Sequence, residues 1–151
     1  MKPTRVLFVC HGNICRSPMA EFILKDLADK AGLLSRLEID SAATSPEELG
    51  SDMYSPAKAK LRAMRVPFTR RAARLIRRSD YAYYDRLIGM DGYNVRSMER
   101  FFGGDPDHKI SMLLDRPVAD PWYTDDFDTT YADLLEGCTA LLAELQTAAR
   151  T

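Results

Sequence analysis

The chain has little histidine, only one tryptophan, and an odd number of cysteines, three. Its two histidines, His11 and His108, show no ligand spacing, so no metal and no other cofactor is expected. Three cysteines do not make a secreted disulfide framework and point instead to a thiol-reduced, cytoplasmic setting. Charge of one sign is also missing. The formal net charge is −1, from 21 Lys and Arg against 22 Asp and Glu, which gives no support to a nucleic-acid or membrane-surface role. No apolar run approaches membrane-spanning length. The opening Met-Lys-Pro-Thr-Arg lacks the apolar region and cleavage site of a secretory signal. Internal repeats, low-complexity tracts and linkers are absent too. What remains is an ordinary globular composition, 46% hydrophobic and 28% charged, in 151 residues. That length suits one domain over 1–151 with a proper core.

One stretch organises the rest. Val6-Leu7-Phe8-Val9 ends at Cys10, and His11-Gly12-Asn13-Ile14-Cys15-Arg16 follows before Ser17-Pro18. This reads as a buried strand, a tight loop and a helix N-terminus, with Ser17 as cap and Pro18 in the first turn. Such a helix end offers unpaired N–H groups and a positive dipole end to an anion. Cys10 and Arg16 flank that position. A thiolate needs electropositive surroundings, and a guanidinium fork suits phosphate oxygens. The competing reading makes Cys10 a buried core thiol and Arg16 a solvated charge.

Further along, apolar residues Met19, Phe22, Ile23, Leu27 and Ala31 repeat at helical spacing up to Gly32. Leu37–Ser41 reads as a second strand, 42–56 as a loop, and Ser55-Pro56 as the start of a helix through Met64. The arginines at 70, 71, 74, 77 and 78 read as a solvated helical face, or as a contact for an acidic partner. Arg86–Met90 is a third strand, Asp91 caps a helix to Phe102, and Lys109–Leu113 is a fourth strand. A loop over 116–124 carries Asp120-Pro121-Trp122-Tyr123, and a last helix spans Phe127 to Gln146. Alternating strands and helices imply right-handed crossovers. The expected fold is α/β: a single-domain, four-stranded parallel sheet with helices on both faces, flavodoxin-like in order. Ligands in such sheets bind beyond the carboxyl ends of the strands, which would bring Asp120 towards Cys10. Taken alone, Asp120 reads as a turn residue before Pro121, and Trp122 and Tyr123 as loop packing.

Residues 9 to 21, Val-Cys-His-Gly-Asn-Ile-Cys-Arg-Ser-Pro-Met-Ala-Glu, resemble the active-site loop of the low-molecular-weight protein tyrosine phosphatases. The likeness extends over nearly the whole chain. It implies hydrolysis of phosphotyrosine in proteins through a phosphocysteine intermediate. Cys10 would be the nucleophile, Arg16 the phosphate ligand and Asp120 the general acid and then base. Amides of His11, Gly12, Asn13, Ile14, Cys15 and Arg16 would hold the phosphoryl oxygens. Ser17 would donate to the Cys10 sulfur, Asn13 would brace the loop, and Trp122 and Tyr123 would wall the substrate pocket. Ile14 would favour phosphotyrosine, since relatives acting on phosphoarginine look different there, with threonine. Asp91 would support the loop network. The resemblance also implies a reversible Cys10–Cys15 disulfide, while Cys138 reads as inert core.

The implied partners are phosphotyrosine proteins, a cognate tyrosine kinase among them, met by a monomer. Two departures stand out. Glu47 lies where relatives often carry an aromatic wall, and Arg71 near where they often carry a histidine bracing the loop. Two rivals fare worse. An arsenate reductase on this fold needs a further mid-chain cysteine pair, and residues 16–137 hold none. A non-catalytic phosphotyrosine-binding module would be favoured by loss of nucleophile or acid, and both are present.

Overall fold

A computed structural model describes residues 2–150, with side chains described through residue 148. Four parallel strands, β1 (Thr4–Cys10), β2 (Leu37–Ala43), β3 (Arg86–Gly89) and β4 (Ile110–Met112), lie in the order β2-β1-β3-β4. The helices are α1 (Arg16–Lys30), α2 (Ser55–Ala63), α3 (Asp80–Tyr83), α4 (Gly92–Phe102), α5 (Pro121–Thr124) and α6 (Phe127–Arg150). This is the expected fold class. The chain leaves β1 for β2 on one side and reaches β3 on the other, so the end of β1 is the switch point where such sheets bind ligands. Cys10 is the last residue of that strand.

The two-residue pleat sorts β1 into two cores. Val6, Phe8 and Cys10 face a large cluster that takes in Met19 and Ile23 of α1, Leu61 of α2 and Leu134 of α6. Leu7 and Val9 face a smaller one with Ile76, Leu87 and Met98 of α4. Both faces are therefore covered, and that is why Val6–Cys10 is an unbroken apolar run.

Several expectations shift. β1 extends through Cys10, and β2 continues to Ala43 because Ala42 and Ala43 pair with Val9 and Cys10. β3 ends at Gly89, one residue short of Met90, and β4 keeps only Ile110–Met112 of the expected 109–113. α2 stops at Ala63, and α6 runs past Gln146 to Arg150. The 116–124 loop contains a short helix, α5, capped by Asp120. Ser17 does not cap α1. Cys15 holds the cap position without a side-chain bond, and Ser17 is already helical, its hydroxyl turned to the Cys10 sulfur.

The largest correction concerns the arginine cluster. Residues 70–78 form no helix; the segment is irregular and bridges to the sheet edge through Ala43 and Leu75. Arg70, Arg77 and Arg78 are exposed, whereas Arg71 and Arg74 turn inward. The edge of β2 supplies the reason. Ala43 N–H donates to the Arg74 carbonyl and Ile76 N–H donates to the Ala43 carbonyl, which holds this stretch extended.

Candidate active site

The loop 11–15 joins β1 to α1 and closes around the Cys10 sulfur. Asn13 adopts φ 59°, a left-handed conformation that asparagine tolerates better than most residues, and its amide points at Cys10 Sγ at 3.3 Å. The Asn13 side chain is fully buried and oriented by its bonds. Its Oδ1 accepts from Arg71 Nη2 and from the Arg74 amide, at 3.2 Å, so its Nδ2 faces Ser17 Oγ, at 2.8 Å. The Ser17 oxygen thus accepts from Asn13 and has its own proton left for the sulfur, 2.9 Å away. Among the described residues, the amides of Gly12, Ile14, Cys15 and Arg16 donate to no protein acceptor, as expected at a helix start.

Arg16, only 3% exposed, projects from the first turn of α1. Its Nη1 donates to Asp91 Oδ2 at 2.9 Å and to the Val118 carbonyl at 3.1 Å, and its Nη2 to Asp120 Oδ2 at 3.3 Å. Asp91 is placed by local rules. It caps α4 in a box with Asn94, which donates its amide to Asp91 Oδ1 and accepts the amides of Met90 and Asp91. This close seat requires Gly89, since a Cβ there would lie 2.9 Å from Asn94 Cβ. Asp120 caps α5 through Trp122 N–H, and its loop is pinned to α6 where Thr130 Oγ1 donates to the Ala119 carbonyl. Asp120, remote in sequence, thus shares one cleft of about 480 Å³ with Cys10 and Arg16.

The cleft is also lined by His11, Gly12, Asn13, Ile14 and Cys15, with Trp122 and Tyr123 at its mouth. Ser17 is absent from the lining, because it is buried behind the sulfur. Burial first, then the nearby charge of Cys10, pushes the Cys15 thiol up to about 12. Burial alone raises that of Cys138 further. All three cysteines are free thiols.

Sequence reading missed several residues here. Glu48, Thr44, Tyr93 and Ser97 also line the cleft. Tyr54 packs its ring 5.2 Å from Trp122 and stiffens that wall. The Tyr54 amide donates to the Ile14 carbonyl, a link for which the sequence carries no signal. Glu47, singled out as a departure, faces the cleft and pairs with His11 Nε2 at 3.2 Å.

A family model for low molecular weight phosphotyrosine protein phosphatases matches residues 5–151. The chain is 37% identical to the low molecular weight protein-tyrosine-phosphatase YfkJ of Bacillus subtilis, over 93% of this chain and 95% of that one. The crystal structure of YfkJ superposes with a TM-score of 0.95, covering 98% of each chain at 35% identity. That of a low molecular weight protein tyrosine phosphatase from Streptococcus pyogenes gives 0.88, at 36% identity over 94% of this chain and 93% of that one. A Drosophila arginine phosphatase gives 0.84, at 30% identity over 96% and 98%. The chain belongs to the low molecular weight phosphotyrosine protein phosphatase family.

Proposed function

We propose that this single-domain chain hydrolyses phosphotyrosine in proteins, and small aryl phosphates, with Cys10 as nucleophile, Arg16 as phosphate ligand and Asp120 as acid and base. The observation that carries the assignment is the convergence of Cys10 Sγ, the free loop amides, the Arg16 fork and the Asp120 carboxylate on one cleft.

The phosphoryl oxygens sit among the loop amides and the dipole of α1, with Arg16 across two of them. The Cys10 sulfur gives an electron pair to phosphorus as the bond to the aryl oxygen breaks. One oxygen of Asp120 accepts from Arg16 Nη2. A bound dianion competes for that donor and leaves the carboxyl free to hold a proton, which it gives to the departing oxygen. In the second step Asp120 takes a proton from water, the water oxygen bonds to phosphorus and the sulfur–phosphorus bond breaks. Inorganic phosphate leaves and the thiolate returns, eased by the Ser17 hydroxyl.

Trp122 and Tyr123 stack against the aromatic group, and Ile14 offers it an apolar surface. Phosphotyrosine proteins are the substrates, a tyrosine kinase among them, and the enzyme works as a cytoplasmic monomer. Three cysteines, an odd number, suit a thiol-reduced compartment. No described helix is long and apolar enough to cross a membrane.

The test is p-nitrophenyl phosphate turnover against pH, with EDTA, for wild type, Cys10→Ser and Asp120→Ala. Cys10→Ser is expected to fall to background, a loss of at least about 10⁴-fold, and Asp120→Ala to lose less, with its acidic-side pH dependence altered. Activity surviving in Cys10→Ser would overturn the mechanism. Phosphate binding without wild-type turnover would make the chain a binding module. Faster cleavage of a phosphoarginine than of a phosphotyrosine peptide would change the substrate class.

A further inference from the structure

Positive charge around the thiol is unevenly committed. Arg16, facing the cleft, pairs with both Asp91 and Asp120, so two carboxylates already stand against its one charge. Arg71 reaches the loop from the irregular segment beside β2 and is partly buried. Its side chain is held by neutral acceptors, Asn13 Oδ1 and the Ser51 carbonyl, the latter at 3.3 Å. Among the described residues it makes no ion pair with a carboxylate.

Burial pushes the Arg71 guanidinium down, and three anionic groups oppose that: Glu21, the Cys10 thiolate and Asp52. Two of the three are already engaged. Glu21 pairs with Lys25 at 2.6 Å and accepts from Ser41 Oγ at 2.7 Å. Asp52 pairs with Lys58 at 2.6 Å and accepts the amides of Met53 and Arg71. The anion near Arg71 that lacks a lysine of its own is the Cys10 thiolate.

We propose that Arg71 is the counter-charge of the Cys10 thiolate, a positioning residue that braces Asn13 and supplies the positive charge that Arg16, shared between two aspartates, does not. The inference rests on Cys10 being the nucleophile. Its consequence covers both chemical steps. Arg71 favours the ionised sulfur before attack, and favours it again when the sulfur–phosphorus bond breaks and charge returns to sulfur. Neither moment requires Arg71 to touch the substrate.

Other groups also face the thiol. His11, Cys15 and Arg16 come from its own loop, Glu47 and Glu48 from the loop after β2, Asp91 from the start of α4, and Asp120 from the loop before α5. All of these are left in place by the variants chosen, so a change in thiol ionisation reports on Arg71.

The experiment is the pH dependence of iodoacetamide alkylation without substrate, read at Cys10 by peptide mapping. Arg71→Gln keeps an N–H donor for Asn13 and removes the charge, whereas Arg71→Lys keeps the charge. Arg71→Gln is expected to move the midpoint upward by about one pH unit, or roughly tenfold slower alkylation below both midpoints, and Arg71→Lys to stay with wild type. An unmoved midpoint in folded Arg71→Gln overturns the proposal. So does an equal shift in Arg71→Lys, which would trace the effect to the shape of the brace. Should Arg71→Gln lose its circular dichroism signature, Lys58→Met replaces it. Asp52 is then free to take up the charge of Arg71, and a smaller upward shift is expected; no shift overturns the proposal. Wild-type failure to turn over p-nitrophenyl phosphate would sink the catalytic reading itself, whereas an unmoved midpoint in active enzyme sinks only the role of Arg71.

Discussion

The floor of the cleft and its mouth are built by different rules. At the floor, Asn13, Arg16 and Ser17 are buried and each side chain is committed to two or more named partners. At the mouth, Trp122 is 55% exposed, Tyr93 75% and Tyr123 84%, and their contacts are rings and cation faces, such as Tyr54 on Trp122 and Arg96 over Tyr93. A buried polar group left without a partner is costly, so the floor holds one geometry. Exposed rings lose little when shifted, so the mouth can adapt to different protein surfaces. Reaction type is fixed below, and affinity is adjusted above.

Breaking the floor should therefore change rate or stability, and breaking the mouth should change binding. After loss of the nucleophile itself, the largest effect belongs to Asp120→Asn, with kcat expected to fall about 10²–10³-fold. The loss in kcat/KM, which reports the step that expels the aryl oxygen, should be greater for phenyl phosphate than for p-nitrophenyl phosphate, whose leaving oxygen needs less help from a proton. Equal losses in kcat/KM for both esters would remove Asp120 from proton transfer to the leaving group. Next comes Asn13→Ala, which takes the acceptor from Arg71 Nη2 and the Arg74 amide and the donor from Ser17 Oγ together. It should cost about 2–3 kcal/mol in urea unfolding, and a cost near zero would mean that the floor is not braced as described. At the mouth, Trp122→Ala should raise KM for aryl phosphates about three- to tenfold with kcat held. A fall in kcat instead would erase the distinction between the two regions.

The smallest effect comes from within the loop. Burial holds Cys15 protonated, up to about 12 against 9.0 for a free thiol. The native state thus binds that proton more tightly than the unfolded chain. This contribution to stability is complete below about pH 9 and is lost as pH rises towards 12. Urea midpoints of Cys15→Ala should be flatter than wild type over that window, and parallel curves would contradict it. Mild peroxide offers a separate check on the same residue. Peptide mapping should find a Cys10–Cys15 disulfide, and Cys10 over-oxidised beside a free Cys15 would rule that link out.

How much of this could be read from the sequence depended on how local the causes were. The loop from Cys10 to Arg16 was legible because strand, glycine, left-handed asparagine and helix start follow one another directly. Asp91 was legible as a cap, since Asn94 completes its box three residues on. Asp120 could be placed only because parallel sheets gather their carboxyl-end loops. Ser17 misled because a serine before proline has the local signature of a cap, whereas its hydroxyl answers to a thiol and an amide already fixed by the loop. Arg71 and Arg74 misled for the opposite reason. A run of arginines carries helix-compatible spacing, yet the edge of β2 draws the chain out through Ala43, and two of the charges turn inward. Tyr54 left no trace in the sequence, because only tertiary packing brings it against Trp122.

Phosphate that passes through the Cys10 sulfur can be trapped there. Asp120→Asn, slowed in the water step, would be mixed with excess p-nitrophenyl phosphate, quenched within milliseconds and mapped by mass spectrometry. The expected result is a burst of nitrophenol and phosphate on Cys10, approaching one per chain and absent from Cys10→Ser. Nitrophenol release with no burst and no modified Cys10, in enzyme that still turns over, would contradict it.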